Sequence, residues 1–283
     1  MFQNQTVIQF WDEFIDSKPN ITLIHKQDIC LEEGIHLITM NYQREDGSPF
    51  WAYALTAAAS KAYLITGTAN GGYGTIDCTA FVPEHMESAR KEGHDVIAAI
   101  NCGYFRRKDH CRPYGLSVRN GVEIAPPYSE PRLFCGNVEL GRRWLGMTAD
   151  HTLIHGTDET YPQHKDELVY ATSFTHFLVK DGKINYEENI PGLEPRTTLA
   201  LRKDGTIIFS TIDGRQPGHS MGCTLFENAQ MMLDLGAETA FHVDGGGSSN
   251  LSIYDAEGQI RTINRPSEPR KVFDTLILVR RPQ

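Results

Sequence analysis

The amino-acid sequence predicts an α+β protein: a single domain built on a large mixed, mostly antiparallel β-sheet with packed helices. Many of its apolar stretches are short or alternate with polar residues at a period near two, as strands do. Asn-Gly or Asp-Gly pairs separate several such stretches, which is the strongest short signal for a β-hairpin. Neither a Pro/Ser-rich linker nor an internal repeat divides the 283 residues. We therefore expect an N-terminal lead-in over residues 1–30 and one domain over residues 31–283.

The first half of the chain predicts strands around one helix. The lead-in is polar, and rough helical spacing at residues 6–16 predicts that it is partly helical. The period shortens toward two at residues 34–43 and 50–59, which predicts a pair of strands. Residues 78–93 carry acids early, bases late and a final glycine, as a helix does. Residues 94–105 then indicate a buried strand that enters a glycine-bearing turn.

The second half predicts hairpins, one more helix and two closing strands. Residues 224–238 have apolar positions at helical spacing up to Gly236, so they predict a helix. A strand follows from Phe241, and residues 274–281 form another. The hairpin turns are expected at Asn120-Gly121, Asp181-Gly182 and Asp204-Gly205.

Composition excludes several classes of function. A formal net charge of −9 disfavours a nucleic-acid partner, because phosphates would be repelled. No apolar run approaches the roughly 20 residues of a membrane span. No signal-peptide pattern is visible, which predicts the cytoplasm, or secretion if a leader has been removed. The six cysteines form no CxxC pair and the carboxylates do not cluster, so we expect no cofactor, although a divalent cation at Asp213 or Asp244 stays open.

The segment FHVDGGGSSNLSI, residues 241–253, is the first candidate site. An apolar strand ends at Asp244 and is followed by glycines, two serines and an asparagine. Glycines let the backbone approach a ligand and leave N–H groups free as anion donors. A tight turn with Asp244 as a structural cap explains the same letters. The candidate donors are Gly245, Gly246, Gly247, Ser248, Ser249 and Asn250.

Other polar residues stand at the ends of predicted strands. Asn101 ends the strand before the motif CGYF, where an amide can orient a sugar hydroxyl or a phosphate. Arg196 directly precedes a strand, and a guanidinium can grip phosphate in a bidentate way. Each residue alone has a structural explanation, as a turn cap or a surface group. The set is completed by Asp213 and Arg215 at the next strand end and by His219 and Thr224 before the helix.

Taken together, five segments resemble the phosphodiester glycosidase family. They are INCGYF, PRTTLALRKDG, DGRQPGHSMGCTL, LDLGAETAFHVDGGGSSNLSI and NRPSEPRKVFDTLIL. The resemblance extends from about residue 30 onward and is densest over residues 195–275, where motif order and spacing match. Cys102 stands where the family usually has glycine, and His242 where an apolar residue or Asn is more usual. The second difference indicates a modified pocket wall.

The resemblance implies a hydrolase that cleaves the C1–O bond of a sugar-1-phosphodiester. The products would be a free sugar, similar to N-acetylglucosamine, and a phosphomonoester. Phosphate is a good leaving group, with a second pKa of about 6. The site must therefore neutralise the phosphate and stabilise an oxocarbenium-like transition state.

The implied roles follow from this chemistry. Arg196, the N–H groups of residues 245–247 and Ser248 would bind the phosphate. Asp244 first, and Asp213 second, would stabilise the anomeric carbon or activate water. Asn101 and Tyr104 would position the sugar, and the other named residues would contact substrate.

Two other classes of function stay open from the sequence. A glycan-phosphate binding module could keep this fold without turnover. A metal-dependent phosphodiesterase would cut P–O rather than C–O. In each case the partner is a small-molecule or glycan sugar phosphate.

Overall fold

The computed structural model describes residues 21–68, 79–106, 112–127, 134–135, 138–185 and 192–282. The predicted helix at residues 6–16 lies outside these ranges. The described helices are α1 (Val82–Lys91), α2 (Tyr161–His164) and α3 (Leu225–Asp234). The described strands are β1 (Ile21–Glu32), β2 (Ile35–Arg44), β3 (Pro49–Ala57), β4 (Ala62–Thr68), β5 (Val96–Asn101), β6 (Ser117–Arg119), β7 (Val122–Ala125), β8 (Phe134–Cys135), β9 (Val138–Glu139), β10 (Arg143–Thr148), β11 (Leu153–Thr157), β12 (Leu168–Phe174), β13 (His176–Lys180), β14 (Lys183–Ile184), β15 (Arg196–Arg202), β16 (Ile207–Ile212), β17 (Ala237–His242), β18 (Leu251–Tyr254), β19 (Ile260–Thr262) and β20 (Asp274–Arg280).

Most of these strands belong to three sheets rather than to the one large sheet that the sequence predicts. The largest has eight strands in the order β1-β2-β3-β16-β15-β17-β13-β14. Two five-stranded sheets have the orders β19-β18-β5-β20-β4 and β11-β10-β12-β6-β7, and β8 pairs with β9 alone. Every strand pairing among the described residues is antiparallel, so the term "mixed" is wrong for them.

The core lies on both faces of the eight-stranded sheet. One face packs its apolar side chains against β4, β5, β18, β20 and helix α1, with Phe209 and Phe241 among the fully buried rings. The other face packs against α3 through residues such as Met231 and Met232. The β5 strand is buried along its whole length, which explains its continuous apolar sequence.

Helices contribute less to this fold than the sequence prediction states. Helices α1 and α3 confirm the predicted positions, and each has ten residues. Helix α1 shares its apolar cluster with strands of two further sheets, and α3 covers the opposite face of the eight-stranded sheet. The description "packed helices" therefore overstates them, and the single domain is mostly antiparallel β-structure. Within the described ranges, no helix is long and apolar enough to cross a membrane.

The hairpins are confirmed where the sequence places them. Asn120-Gly121 joins β6 to β7, Asp181-Gly182 joins β13 to β14, and Gly205 lies in the turn between β15 and β16. Both residues of the first two pairs have positive φ, from 50° to 75°, as a primed hairpin turn requires.

The N-terminal prediction needs one correction. Residues 21–30 belong to strand β1, which pairs with β2 along most of its length, rather than to a partly helical lead-in. Apolar residues alternate only at the two ends of β1, and the polar run His25 to Asp28 interrupts the period by which strands are recognised. Within the described residues the sheet begins at Ile21, ahead of the boundary expected at residue 31.

Candidate active site

The polar residues singled out in the sequence meet at one end of the molecule. Antiparallel neighbours place the last residue of one strand beside the first residue of the next. Ile212 at the end of β16 thus pairs with Arg196 at the start of β15, and His242 at the end of β17 pairs with Thr198. In the facing sheet, Asn101 at the end of β5 pairs with Thr275 of β20. The loops that leave these strands form the candidate site.

Asn101 links the two sheets at this end. Its Oδ1 accepts hydrogen bonds from Thr197 Oγ1 at 2.8 Å and from the Asn250 backbone N–H at 3.0 Å. Its Nδ2 donates to the Asp244 carbonyl oxygen at 2.5 Å. The side chain is fully buried and fixes both ends of the glycine turn. The sequence interpretation has Asn101 contact the sugar directly, and the structure instead gives it this structural role.

The CGYF turn brings Tyr104 to Asp244. The Asp244 N–H donates to the Cys102 carbonyl at 2.7 Å, which ties β17 to the end of β5. Burial first, and the charge of Asp244 second, raise the pKa of the half-buried Tyr104 well above its ordinary value. Its hydroxyl, 3.7 Å from Cys135 Sγ, therefore keeps its proton and carries no charge. Cys102 is absent from the residues with positive φ, so this position does not require glycine.

Asp274 is a buried carboxylate that sequence reasoning missed. Its Oδ1 accepts from the Gly103 N–H at 2.8 Å and its Oδ2 from Thr172 Oγ1 at 2.7 Å. Burial raises its pKa to about 6, against the lowering effect of these bonds. Asp274 thus positions the turn that carries Tyr104. The available signal was an aspartate directly before the apolar strand TLILV.

Asp213 and His219 form a hydrogen-bonded dyad. Asp213 Oδ2 and His219 Nε2 are 2.8 Å apart, and Oδ1 accepts from Asn264 Nδ2 at 3.1 Å and from the Arg265 N–H at 2.9 Å. Burial raises the pKa of Asp213, while these partners oppose that effect. The His219 ring stacks on Trp51 and stays about a quarter exposed. Asp213 therefore orients a histidine whose second nitrogen, Nδ1, points away from the carboxylate.

Arg196 is buried beneath the glycine turn. Its Nε donates to the Cys223 carbonyl at 3.1 Å and its Nη2 to the Gly192 carbonyl at 2.9 Å. Two of its five donors are therefore used within the protein. The N–H of Gly246 donates to the Pro195 carbonyl at 2.9 Å, so of the expected amide donors only those of Gly245 and Gly247 stay candidates for a ligand.

Two other arginines lie against the glycine turn. The terminal nitrogens of Arg215 come within 3.2 and 3.4 Å of the place where a side chain at Gly246 would begin. Arg270 Cζ lies 2.9 Å from the corresponding place at Gly247. Glycine at these positions therefore makes room for guanidinium groups. Each arginine is held by a glutamate, Arg215 by Glu194 and Arg270 by Glu268.

The remaining predicted residues differ in their surroundings. Ser248 and Ser249 are buried, and their hydroxyls have no hydrogen-bond partner in the described part of the chain. Asn250 Oδ1 accepts from Ser252 Oγ at 2.8 Å. Thr224 is the N-cap of α3: its hydroxyl accepts from the Glu227 N–H at 3.1 Å, and Glu227 Oε2 accepts from the Thr224 N–H. The Thr224 hydroxyl is thus used by the helix rather than directed to a ligand.

His242 lies under the turn rather than on a pocket wall. It is fully buried, and the Thr175 hydroxyl donates to its carbonyl at 3.0 Å. The Thr175 hydroxyl has one proton, which this bond uses. At the 2.9 Å distance between Thr175 Oγ1 and His242 Nδ1 the hydroxyl oxygen must therefore accept from Nδ1–H, which leaves the lone pair of the ring on Nε2. Burial lowers the pKa of His242 well below its ordinary value, with Arg196 and His176 acting in the same direction. Within the described residues, no group of three or more His, Cys, Asp or Glu side chains is arranged to hold a metal ion.

The fold agrees with a match to a sequence family. The chain belongs to the phosphodiester glycosidase family, whose sequence model matches residues 94–279. An uncharacterized SPbeta prophage-derived protein of Bacillus subtilis strain 168, YomE, is 34% identical over 113 residues. That match covers 38% of this chain and 17% of the length of YomE.

Solved structures share the fold at low sequence identity. The catalytic domain of zebrafish N-acetylglucosamine-1-phosphodiester alpha-N-acetylglucosaminidase, auto-inhibited by its pro-peptide, superposes with a TM-score of 0.59 at 16% identity. The alignment covers 93% of this chain and 84% of that one. A Synechocystis protein described as hypothetical gives 0.61 at 16% identity, over 94% of this chain and 64% of that one.

Proposed function

We propose that this protein hydrolyses the C1–O bond of a sugar-1-phosphodiester and releases the free sugar and a phosphomonoester. The observation that carries the proposal is the anchoring of Asp244 at the glycine turn: its carbonyl oxygen accepts from Asn101 Nδ2 at 2.5 Å, and its N–H donates at 2.7 Å to the carbonyl of Cys102, two residues before Tyr104. A carboxylate there can stabilise positive charge at an anomeric carbon, while a neutral phenol can donate to a sugar oxygen. The N-acetylglucosamine-like identity of the sugar belongs to this proposal.

The chemistry divides between two carboxylates. Asp244 acts at the anomeric carbon as the C1–O bond breaks and its electron pair leaves with the phosphate. Asp213 acts through His219, because its oxygens are already shared among His219, Asn264 and the Arg265 N–H. His219 transfers the proton, from the attacking water or to the departing oxygen. Water adds to C1, so the sugar gains the hydroxyl and the phosphate keeps its bridging oxygen.

The proposed reaction is tested by hydrolysis of a panel of sugar-1-phosphodiesters in ¹⁸O-labelled water. We expect the label in the sugar, which means C1–O cleavage. Label in the phosphate would instead support a phosphodiesterase, and binding without product would support a glycan-phosphate binding module. Asp244→Asn is expected to lose turnover by at least about 100-fold. Asp255→Asn is the matched control, since Asp255 pairs with exposed Arg261 outside the site.

Two further expectations from the sequence stay proposals. The reaction as written needs no cofactor, because the leaving group is a phosphate that arginines can neutralise. The cytoplasmic location stays a prediction that cell fractionation tests.

A further inference from the structure

We propose that Arg215 and Arg270 together form the subsite that grips the phosphate group of the substrate, with Gly246 and Gly247 giving them access. This inference rests on the proposed function, and it assigns the direct phosphate contact to groups other than Arg196. Arg270 and its contact with the turn are outside the set of residues that sequence reasoning selected.

Arg215 presents the outer end of its guanidinium to the turn. Its Nε donates to Glu194 Oε2 at 2.5 Å, which fixes the plane of the group. Both terminal nitrogens lie 3.2–3.4 Å from the side-chain position at Gly246. Gly246 has a φ of 62° and Arg215 a φ of 59°, so both residues adopt the left-handed region. Two parallel N–H donors in this orientation match two oxygens of a phosphate.

Arg270 approaches the same turn from the loop before β20. Its Nη2 pairs with Glu268, while its Nε is buried with no hydrogen-bond partner among the described residues. A buried charged donor that lacks an acceptor is costly, so this nitrogen indicates a missing anionic partner. The side chain is held against Gly247, where any larger residue would displace it.

The turn supplies further unsatisfied donors beside the two arginines. Ser248 and Ser249 are 3% and 1% exposed, and their hydroxyls have no hydrogen-bond partner among the described residues. Cations and hydroxyls around one glycine turn suit a ligand with several anionic oxygens, which is the chemistry of a phosphate group. The chain as a whole has a net charge of −9, so this cationic pair is a local feature and not a general attraction.

Arg196 provides the contrast. Two of its nitrogens bind the Cys223 and Gly192 carbonyls, so it holds loops together below the turn. Its charge still acts on the site from below. In the proposed reaction, Arg215 and Arg270 neutralise the phosphate as the C1–O bond breaks, which stabilises the leaving group.

The test measures inorganic phosphate binding to the full chain by isothermal titration calorimetry. We expect Arg270→Lys and Arg215→Lys each to raise the Kd of phosphate about tenfold, because lysine keeps the charge but loses the planar fork. Gly247→Ala should do the same with both arginines intact. Gly247 is absent from the glycines with positive φ, so its backbone accepts alanine, and the added methyl collides with the Arg270 guanidinium and with Glu268 Cβ at 2.9 Å, the two side chains of this ion pair. Arg261→Lys, at an exposed Arg–Asp pair outside the site, is the matched control and should leave the Kd unchanged.

The outcomes separate this inference from the proposed function. An unchanged phosphate Kd in all three variants, or no phosphate binding by the wild-type chain, overturns the subsite even if sugar-1-phosphodiesters are hydrolysed. Weakened phosphate binding without any C1–O cleavage by the wild type supports the subsite and overturns the function. Thermal unfolding of each variant identifies one that fails to fold, and Gly247→Ala then serves in place of an arginine variant.

Discussion

Asp213 and Asp274 are both buried aspartates at the candidate site, yet their hydrogen-bond partners differ in kind. Asp274 accepts only from neutral groups, a backbone N–H and a threonine hydroxyl. Asp213 accepts from His219, which can itself carry a proton, as well as from Asn264 and a backbone N–H. A carboxylate bonded to imidazole can orient the ring and stabilise its charged form. We therefore assign proton transfer to the Asp213–His219 dyad and a positioning role to Asp274.

His219→Ala should lower kcat for sugar-1-phosphodiester hydrolysis by about 100-fold or more, because proton transfer by a positioned group contributes that much. Its ring stacks on Trp51 and leaves a quarter of the side chain exposed, so added imidazole can reach the vacated space. We expect imidazole to restore part of the lost kcat. The measurement is steady-state kinetics with and without imidazole.

The control for this prediction is His164→Ala. His164 is exposed and pairs with Glu167 at 2.5 Å, so it resembles the dyad without lying at the site. Its loss should leave kcat unchanged. A His219→Ala enzyme with wild-type kcat, or one that imidazole does not rescue, contradicts proton transfer by this residue.

At the scale of structural elements, the first residue of β20 holds the end of β5 in place. Asp274 binds Gly103, which lies between Cys102, bonded to the Asp244 N–H, and Tyr104. A side chain added at Gly103 would come within 3.2 Å of Asp274 Oδ1 and of Ser173 Oγ. The turn and the strand therefore have to fit each other closely, and a substitution in one should disturb the packing of the other.

The burial of Asp274 makes stability depend on pH. The pKa of Asp274 rises from an ordinary 3.8 to about 6 on folding, so the folded protein binds this proton more tightly than the unfolded chain. The resulting stabilisation is complete below pH 3.8 and is lost as the pH rises through about 6. Its full size is at most about 3 kcal/mol, because a tenfold change in proton affinity corresponds to about 1.4 kcal/mol.

Asp274→Asn should remove this dependence. Asparagine stays neutral at every pH. From pH 4 to pH 7 the free energy of unfolding of the wild type should therefore fall relative to that of the variant. Urea unfolding at several pH values measures the difference. A difference that stays constant over this range would contradict burial as the cause, and Asp255→Asn, whose exposed carboxylate has a lowered pKa, is the comparison variant.

At the scale of the whole molecule, three sheets pack as one domain. Leu145 and Met147 of β10 belong to the same apolar cluster as Phe209 of the eight-stranded sheet and Ile277 of β20. The sheet β11-β10-β12-β6-β7 also has a smaller cluster of its own around Trp144, which packs against Tyr161. Continuity of the large cluster favours cooperative unfolding, whereas the small cluster offers a unit that could unfold separately.

A protein with Trp144 as its single tryptophan distinguishes cooperative unfolding from separate unfolding of this sheet. The variant Trp11→Phe/Trp51→Phe keeps only Trp144, which is buried in β10 and donates from Nε1 to the Thr157 carbonyl at 2.7 Å. We expect its fluorescence and the far-UV circular dichroism to change at the same urea concentration. An earlier fluorescence transition would mean that this sheet unfolds on its own and that the chain holds two cooperative units.

Local features of the fold could be predicted from the sequence, and distant ones could not. The hairpin turns and helices α1 and α3 depend on neighbouring residues, so their positions are confirmed. Strand β1 was not predicted because the polar run His25 to Asp28 interrupts its apolar alternation. The division into three sheets depends on which strands pair across the chain, and no short pattern encodes that.

The candidate site follows the same rule. Residues 244–250 were selected from their own unusual composition, and they do lie where the strand ends meet. The role of glycine was only partly predicted, because room for Arg215 and Arg270 depends on loops far along the chain. Thr224 was assigned to the ligand although the pattern Thr-x-x-Glu already marked a helix N-terminus. Arg270 has ordinary sequence surroundings, and the one signal for Asp274 is its place before an apolar strand, so their contacts identify them.

The hydrogen bond from Asn101 to Asp244 joins residues 143 positions apart, and Gly103 is joined to Asp274 across 171 positions. During synthesis on the ribosome, the end of β5 therefore emerges long before its partners exist. An unfinished chain therefore lacks the assembled candidate site, and we expect the proposed hydrolysis to be absent while the chain is still being made. Catalytic competence should appear in one step, when β20 inserts between β4 and β5, which makes nascent-chain activity a direct report on the last event of folding.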